Sequence, residues 1–191
     1  MSDRTPADNL NYKKRRRPWE SFKLRSDNKL IGEPQTFAIE YSVVKFLGYI
    51  PYGGCRLWFD GKFLGDIEDF TLLTAVEAFL SPIIEKKDSF RLDASFLNFS
   101  EFDIFERMKN GEINGHSYLP IEGFDAFYNY VYYQKDFFYF LWMLDPDMKD
   151  WEEYKNFPTD FFSAKVSIYT YEHVVLEFRK NLGKMCPQIL F

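Results

Sequence analysis

The chain has 191 residues, 46% of them hydrophobic, and a formal net charge of −5, which suits one domain able to bury a core of its own. Two cysteines without Cys-x-x-Cys spacing fit buried or incidental thiols, with a disulfide between them possible but not implied, and two separated histidines argue against a zinc site, which needs four gathered ligands. No run reaches the roughly 18 consecutive apolar residues of a membrane-spanning helix, and a basic, polar start with no apolar segment after it argues against a secretory signal; a soluble cytoplasmic protein is the expectation.

Residues 1–35 carry nine Lys/Arg against five Asp/Glu, and the remainder 15 against 24. A basic leader of +4 therefore precedes an acidic body of −9, and this asymmetry is the main compositional clue to partners. The leader lacks apolar periodicity and is expected to be a disordered arm. It contains Lys13, Lys14, Arg15, Arg16 and Arg17, then Pro18 and Trp19. Such a run reads as a solvated tail, as a patch for nucleic acid or another acidic surface, or as a segment folding back on the acidic body with Trp19 and Phe22 as anchors.

A single α+β domain is expected over residues 36–185, with 186–191 as a tail: a largely antiparallel sheet of about six strands carrying three helices. With 22 Phe and 13 Tyr, its core should be built from rings. Phe37, Ile39, Tyr41 and Val43 alternate with Ala38, Glu40, Ser42 and Val44, which marks the first strand. Pro51 and the glycines of residues 48–54 suggest a loop. Cys55, Leu57 and Phe59 then alternate with Arg56, Trp58 and Asp60, and Asp60-Gly61 supplies a two-residue hairpin turn before Phe63 and Leu64. After an acidic step at residues 66–70, Leu72, Leu73, Val76, Phe79, Leu80 and Ile83 recur at helical spacing, with Thr71 as cap and an end at or before Ser81 because Pro82 follows. Ser100 caps a short helix that stops at Asn110-Gly111, and His116 falls in the loop beyond. Residues 124–133 and 137–144 read as a second hairpin whose later strand is apolar on both faces and hence central; a helix over 125–133 is the alternative for the first of these. A strand over 161–168 leads to a last helix capped by Thr170 and stopped by Gly183, with His173 in its first turn.

No catalytic constellation emerges. Neither cysteine sits in a nucleophile motif, phosphate-binding fingerprints are absent, and Glu101 and Asp103 read as the polar first turn of a helix rather than an acid/base pair. No cofactor or metal is expected. The residues that stand out are Asp145, Asp147, Asp150, Trp151, Glu152, Glu153 and Tyr154, in the most acidic stretch of the chain. A solvated loop with an aromatic tucked beneath it accounts for them; so does a contact surface, with carboxylates rimming an exposed aromatic and suited to a basic protein partner.

The order Phe-Ala-Ile-Glu-Tyr (37–41), a loop, Gly53-Gly54, Trp58, Asp60-Gly61-Lys62 with Gly65-Asp66, and then an amphipathic helix resembles the immunity protein 42 family of bacterial polymorphic toxin systems. The resemblance implies an α+β cytoplasmic protein, not an enzyme, that binds a cognate toxin domain and blocks it, and it assigns no catalytic residue. The acidic body would suit a basic toxin site. Two rival readings remain at this point: a nucleic-acid-associated protein using the basic arm, and a small enzyme with an unrecognised site.

Overall fold

The computed structural model describes residues 28–113, 116–117 and 119–187; the cationic run at 13–17, Trp19, Phe22 and the last four residues lie outside these. Two antiparallel sheets and three helices make up the α+β fold. The first sheet has six strands, β1 (Lys29–Glu33), β2 (Phe37–Tyr41), β3 (Lys45–Leu47), β4 (Ile50–Phe59), β5 (Lys62–Leu64) and β6 (Phe70–Leu72). Their order is β1-β2-β4-β3, with β5 and β6 also pairing β4. Helices α1 (Leu73–Glu85) and α2 (Glu101–Lys109) follow. The second sheet, in the order β10-β9-β8-β7, contains β7 (His116–Ser117), β8 (Phe127–Gln134), β9 (Phe137–Leu144) and β10 (Phe162–Ser167), and α3 (Ile168–Met185) closes the described chain.

The ten-residue strand β4 is the spine of the first sheet. Its register sets Leu57 opposite Ile39 on β2 and opposite Leu64 on β5. The expected hairpin turn is present: Asp60 and Gly61 have φ of 49° and 72°, the pair of positive values that a type I′ turn requires. The expected loop at 48–54 is corrected, because Ile50 to Gly54 belong to β4. Gly53 and Gly54 do not break the strand; they let neighbours close on it. A Cβ on Gly53 would lie 1.8 Å from the Ser42 carbonyl oxygen, and one on Gly54 1.8 Å from that of Ile67. Pro51 sits before the stretch Tyr52 to Gly54 where β6 pairs, so its missing N–H costs no bond on that side.

A second correction concerns residues 1–35. Strand β1 falls inside that range and pairs Ile31 with Ile39, but Ile31 alone of its five residues is even half-buried, so no apolar period betrays it. Thr71 does not cap α1; it is buried on β6, and α1 begins at Leu73 without a side-chain cap. Helix α1 also runs through Pro82 to Glu85. The carbonyl that Pro82 deprives of a donor belongs to Ala78, which is exposed, where water can replace the lost bond. In α3 the cap is Ser167, whose Oγ accepts the Thr170 N–H at 3.1 Å, and Gly183 lies inside the helix. Cys186, expected in a tail, is buried. Ser100 and Asp103 form the expected cap of α2, a reciprocal capping box. Residues 127–134 are strand, not helix, and turn into β9 through Lys135 and Asp136 at φ of 46° and 62°.

The main core lies between the sheets and against α1 and α3. Phe37, Ile39 and Tyr41 of β2 and Cys55, Leu57 and Phe59 of β4 point inward. The Phe59 ring lies 4.7 Å from Phe140 and 5.2 Å from Trp142 on β9, and Phe37 lies 5.0 Å from Tyr171 of α3, distances typical of favourable ring pairs. Buried polar tips find carbonyls: Trp142 Nε1 donates to Phe63 at 3.1 Å and Tyr171 Oη to Leu80 at 3.1 Å. Strand β9 is central, as expected. Its other face packs Leu141 with Tyr132 under Ile104, Phe105 and Met108 of α2.

Candidate functional site

The acidic segment leaves β9 through a tight turn. The Asp145 carboxylate accepts the Asp147 N–H at 3.0 Å and opens a 3-10 turn over Pro146–Met148, local chemistry at which short acidic side chains excel. Further turns carry the chain to Phe157. Asp147, Asp150, Glu152 and Glu153 are exposed, and Trp151 keeps 56% of its surface in solvent. Tyr154 is the exception. At 6% exposure it belongs to the core, with its ring edge-on to Phe157 at 5.5 Å, so it holds the segment from beneath rather than facing outward. Glu152 pairs with Lys155.

Two other loops bring carboxylates to the same place. Asp66, after β5, donates its N–H to the Gly123 carbonyl at 2.8 Å and accepts the Glu68 N–H at 2.9 Å, which joins the 65–69 loop to the stretch before β8. Burial pushes the Tyr154 hydroxyl up, and the charges of Asp69, Asp125, Asp66 and Glu153 push it further. Burial likewise raises the Asp66 carboxyl, with Asp69, Glu68 and Glu153 adding to the effect against the Glu68 amide. On the neighbouring flank a hydrogen bond to Asp145 pushes the Tyr128 hydroxyl up. Carboxylates from three loops thus lie near enough to Tyr154 for their charges to act on its hydroxyl. Sequence reading registered residues 66–70 only as an acidic step between elements; the separation of some 80 residues along the chain hid their meeting with Glu153.

The hairpin itself carries a second feature that sequence reading missed. Residues alternate in β2 and β4, so Glu40, Arg56 and Trp58 point away from the core. Glu40 Oε2 accepts Arg56 Nε at 2.7 Å and Trp58 Nε1 at 2.8 Å, and its Oε1 accepts Asn28 Nδ2 at 2.9 Å. The Arg56 guanidinium lies 4.7 Å from the Trp58 ring and 5.2 Å from that of Phe63, within cation–π range. Burial works to raise the Glu40 carboxyl, but the bonds from Arg56, Trp58 and Asn28 together with the Arg56 charge hold it below the usual range. Phe63 meets Phe157 edge-on at 5.7 Å, so this sheet face runs into the acidic edge.

The remaining candidates do not assemble into chemistry. Cys55 and Cys186 are free and buried, and burial pushes both thiols up, the opposite of an activated nucleophile. Glu101 and Asp103 lie at the start of α2, where Asp103 is engaged in the cap. His173 is exposed in the second turn of α3, not the first, and the His116 backbone lies in β7. Among the described residues no group of three or more His, Cys, Asp or Glu could hold a metal ion, and no helix is long and apolar enough to cross a membrane.

A family model described as immunity protein 42 matches residues 30–181. The crystal structure of CdiI from Burkholderia dolosa is similar in fold, with a TM-score of 0.54 at 14% sequence identity, covering 80% of this chain and 99% of that one. No curated protein matches the sequence.

Proposed function

The chain belongs to the immunity protein 42 family, and from that premise we propose that it binds a cognate toxin domain of a bacterial polymorphic toxin system and neutralises it by laying its acidic edge over a basic toxin surface. Its task is binding, not catalysis. The observation that carries the choice of surface is the convergence of Asp66, Asp69, Asp125 and Glu153 around Tyr154, beside the exposed Trp151. The contact residues are Asp145, Asp147, Asp150, Trp151, Glu152 and Glu153, with Tyr154 supporting them. Fields of one sign focused at an edge steer an oppositely charged partner and raise its association rate. A toxin that acts on a polyanion has a cationic cleft, and an acidic edge can fill it in place of substrate.

The test is a charge reversal. Asp150, Glu152 and Glu153 are exposed, so replacing them by Lys should leave the fold intact. Association with the toxin domain encoded beside this chain's gene should slow by about tenfold or more at low salt, and its dependence on ionic strength should flatten. Unchanged association kinetics would remove the acidic edge from the mechanism.

A further inference from the structure

We infer that the outer face of the six-stranded sheet is a second, contiguous part of the same contact, and that Arg56 is its receptor for a carboxylate of the toxin domain. This rests on the toxin-binding reading above. One side of the sheet is the core; α1 and α3 cover that side. The other side presents Leu30, Glu40, Arg56, Trp58 and Phe63. A solvated sheet face is ordinarily polar, whereas this one holds Trp and Arg, the residue types most enriched among energetic anchors of protein interfaces.

The geometry of Arg56 specifies what it takes. Its Nε is committed to Glu40 at 2.7 Å, and its plane is held against Trp58 and Phe63. Among the described residues the guanidinium makes no other hydrogen bond, and the side chain keeps 24% of its surface exposed. Among the described residues both terminal nitrogens are left without a partner, and two parallel N–H groups match the two oxygens of a carboxylate. Because the side chain is already ordered, little entropy remains to be lost on binding. Glu40 spreads its charge over Arg56, Trp58 and Asn28 and does not close the fork. A phosphate chain fits the position less well, since its neighbouring phosphates would meet the acidic edge. A single carboxylate set among a toxin's cations meets no such opposition. The two surfaces are neighbours: Phe63 of the sheet face meets Phe157, which packs on Tyr154 beneath the acidic segment.

The experiment measures affinity for the toxin domain encoded beside this chain's gene. Arg56→Lys retains the charge but lacks the fork, and should weaken binding at least about tenfold, mainly through faster dissociation, in a protein whose circular dichroism spectrum shows it folded at the assay temperature. Leu30 is 51% exposed on the same face and stands opposite Glu40, so Leu30→Ser removes an apolar contact of the face without adding a charge beside the network, and should also weaken binding about tenfold. Lys165→Ser, exposed on the far sheet, should leave affinity unchanged. Wild-type affinity in a folded Arg56→Lys overturns the inference while leaving the acidic-edge proposal standing. If Arg56→Lys does not fold, wild-type affinity in Leu30→Ser does the same. No binding by the unaltered chain overturns both.

Discussion

Replacing Gly53 by Ala tests the central strand on which the candidate surface is built. The added Cβ would stand 1.8 Å from the Ser42 oxygen, and contacts under 3.0 Å are essentially never seen, so the Ser42 segment must withdraw by about 1.2 Å. That segment is tied to β4 by Ser42 N–H to Gly54 O and Val44 N–H to Tyr52 O, each 2.9 Å, and a shift of this size stretches them past useful length. Losing one such buried bond costs about 1–3 kcal/mol and the overpacking about 1–3 more, so Gly53→Ala should lose about 2–6 kcal/mol. Gly48 is the control. Its φ is +63° but nothing lies within 4 Å of a Cβ there, so Gly48→Ala should cost only the left-handed penalty of about 1–2 kcal/mol. Urea unfolding followed by tryptophan fluorescence, with m-values compared, measures both. A Gly53→Ala variant within 0.5 kcal/mol of Gly48→Ala, a margin of about the size of ordinary surface effects, would refute the steric argument.

Glu77 is buried on α1 and pairs with Arg179 of α3 at 2.6 Å, with Ser81 as a further partner. Arg179→Met should strand that carboxylate and cost about 3 kcal/mol, while adding Glu77→Met should restore most of it; a double-mutant cycle without coupling would contradict this. The depressed Glu40 carboxyl implies stability present above its unfolded value of about 4.5 and lost as pH falls through its lower folded value. Wild type should therefore exceed Glu40→Gln in stability at pH 7 and lose that advantage in acid, as followed by melting temperature against pH; a constant difference would contradict it. Among the described residues Tyr41 Oη is buried without a hydrogen-bond partner, although Asn181 lies nearby. Tyr41→Phe should be neutral or stabilising by up to about 1 kcal/mol, and a loss larger than that would show a bond to Asn181.

Elements with a strong period or an unambiguous turn were legible from residues alone. The alternation through Phe37, Ile39 and Tyr41, the Asp60-Gly61 turn, the Ser100 cap and the two-faced apolar run of β9 each match the observed fold. What escaped was set by neighbours rather than by local pattern. Strand β1 buries too little to show a period. Gly53 and Gly54 look like loop residues but serve close strand approach, and α1 tolerates Pro82 because the carbonyl it frees faces water. The candidate surface was half legible. The carboxylates at 145–153 stand out in sequence, but Asp66, Asp69 and Asp125 join them only through folding. Arg56 and Trp58 stood out only as positions alternating with Cys55, Leu57 and Phe59, and their bonds to Glu40 depend on the β2–β4 register.

The central claim, that this chain recognises and neutralises a toxin domain, is tested most directly by producing that domain, taken from the gene beside its own, in bacterial cells with and without the chain. The account predicts that cells survive induction of the toxin only when the chain is present, and that the two proteins copurify as a stable complex. Equal killing in both cultures, with no complex recovered, would contradict it.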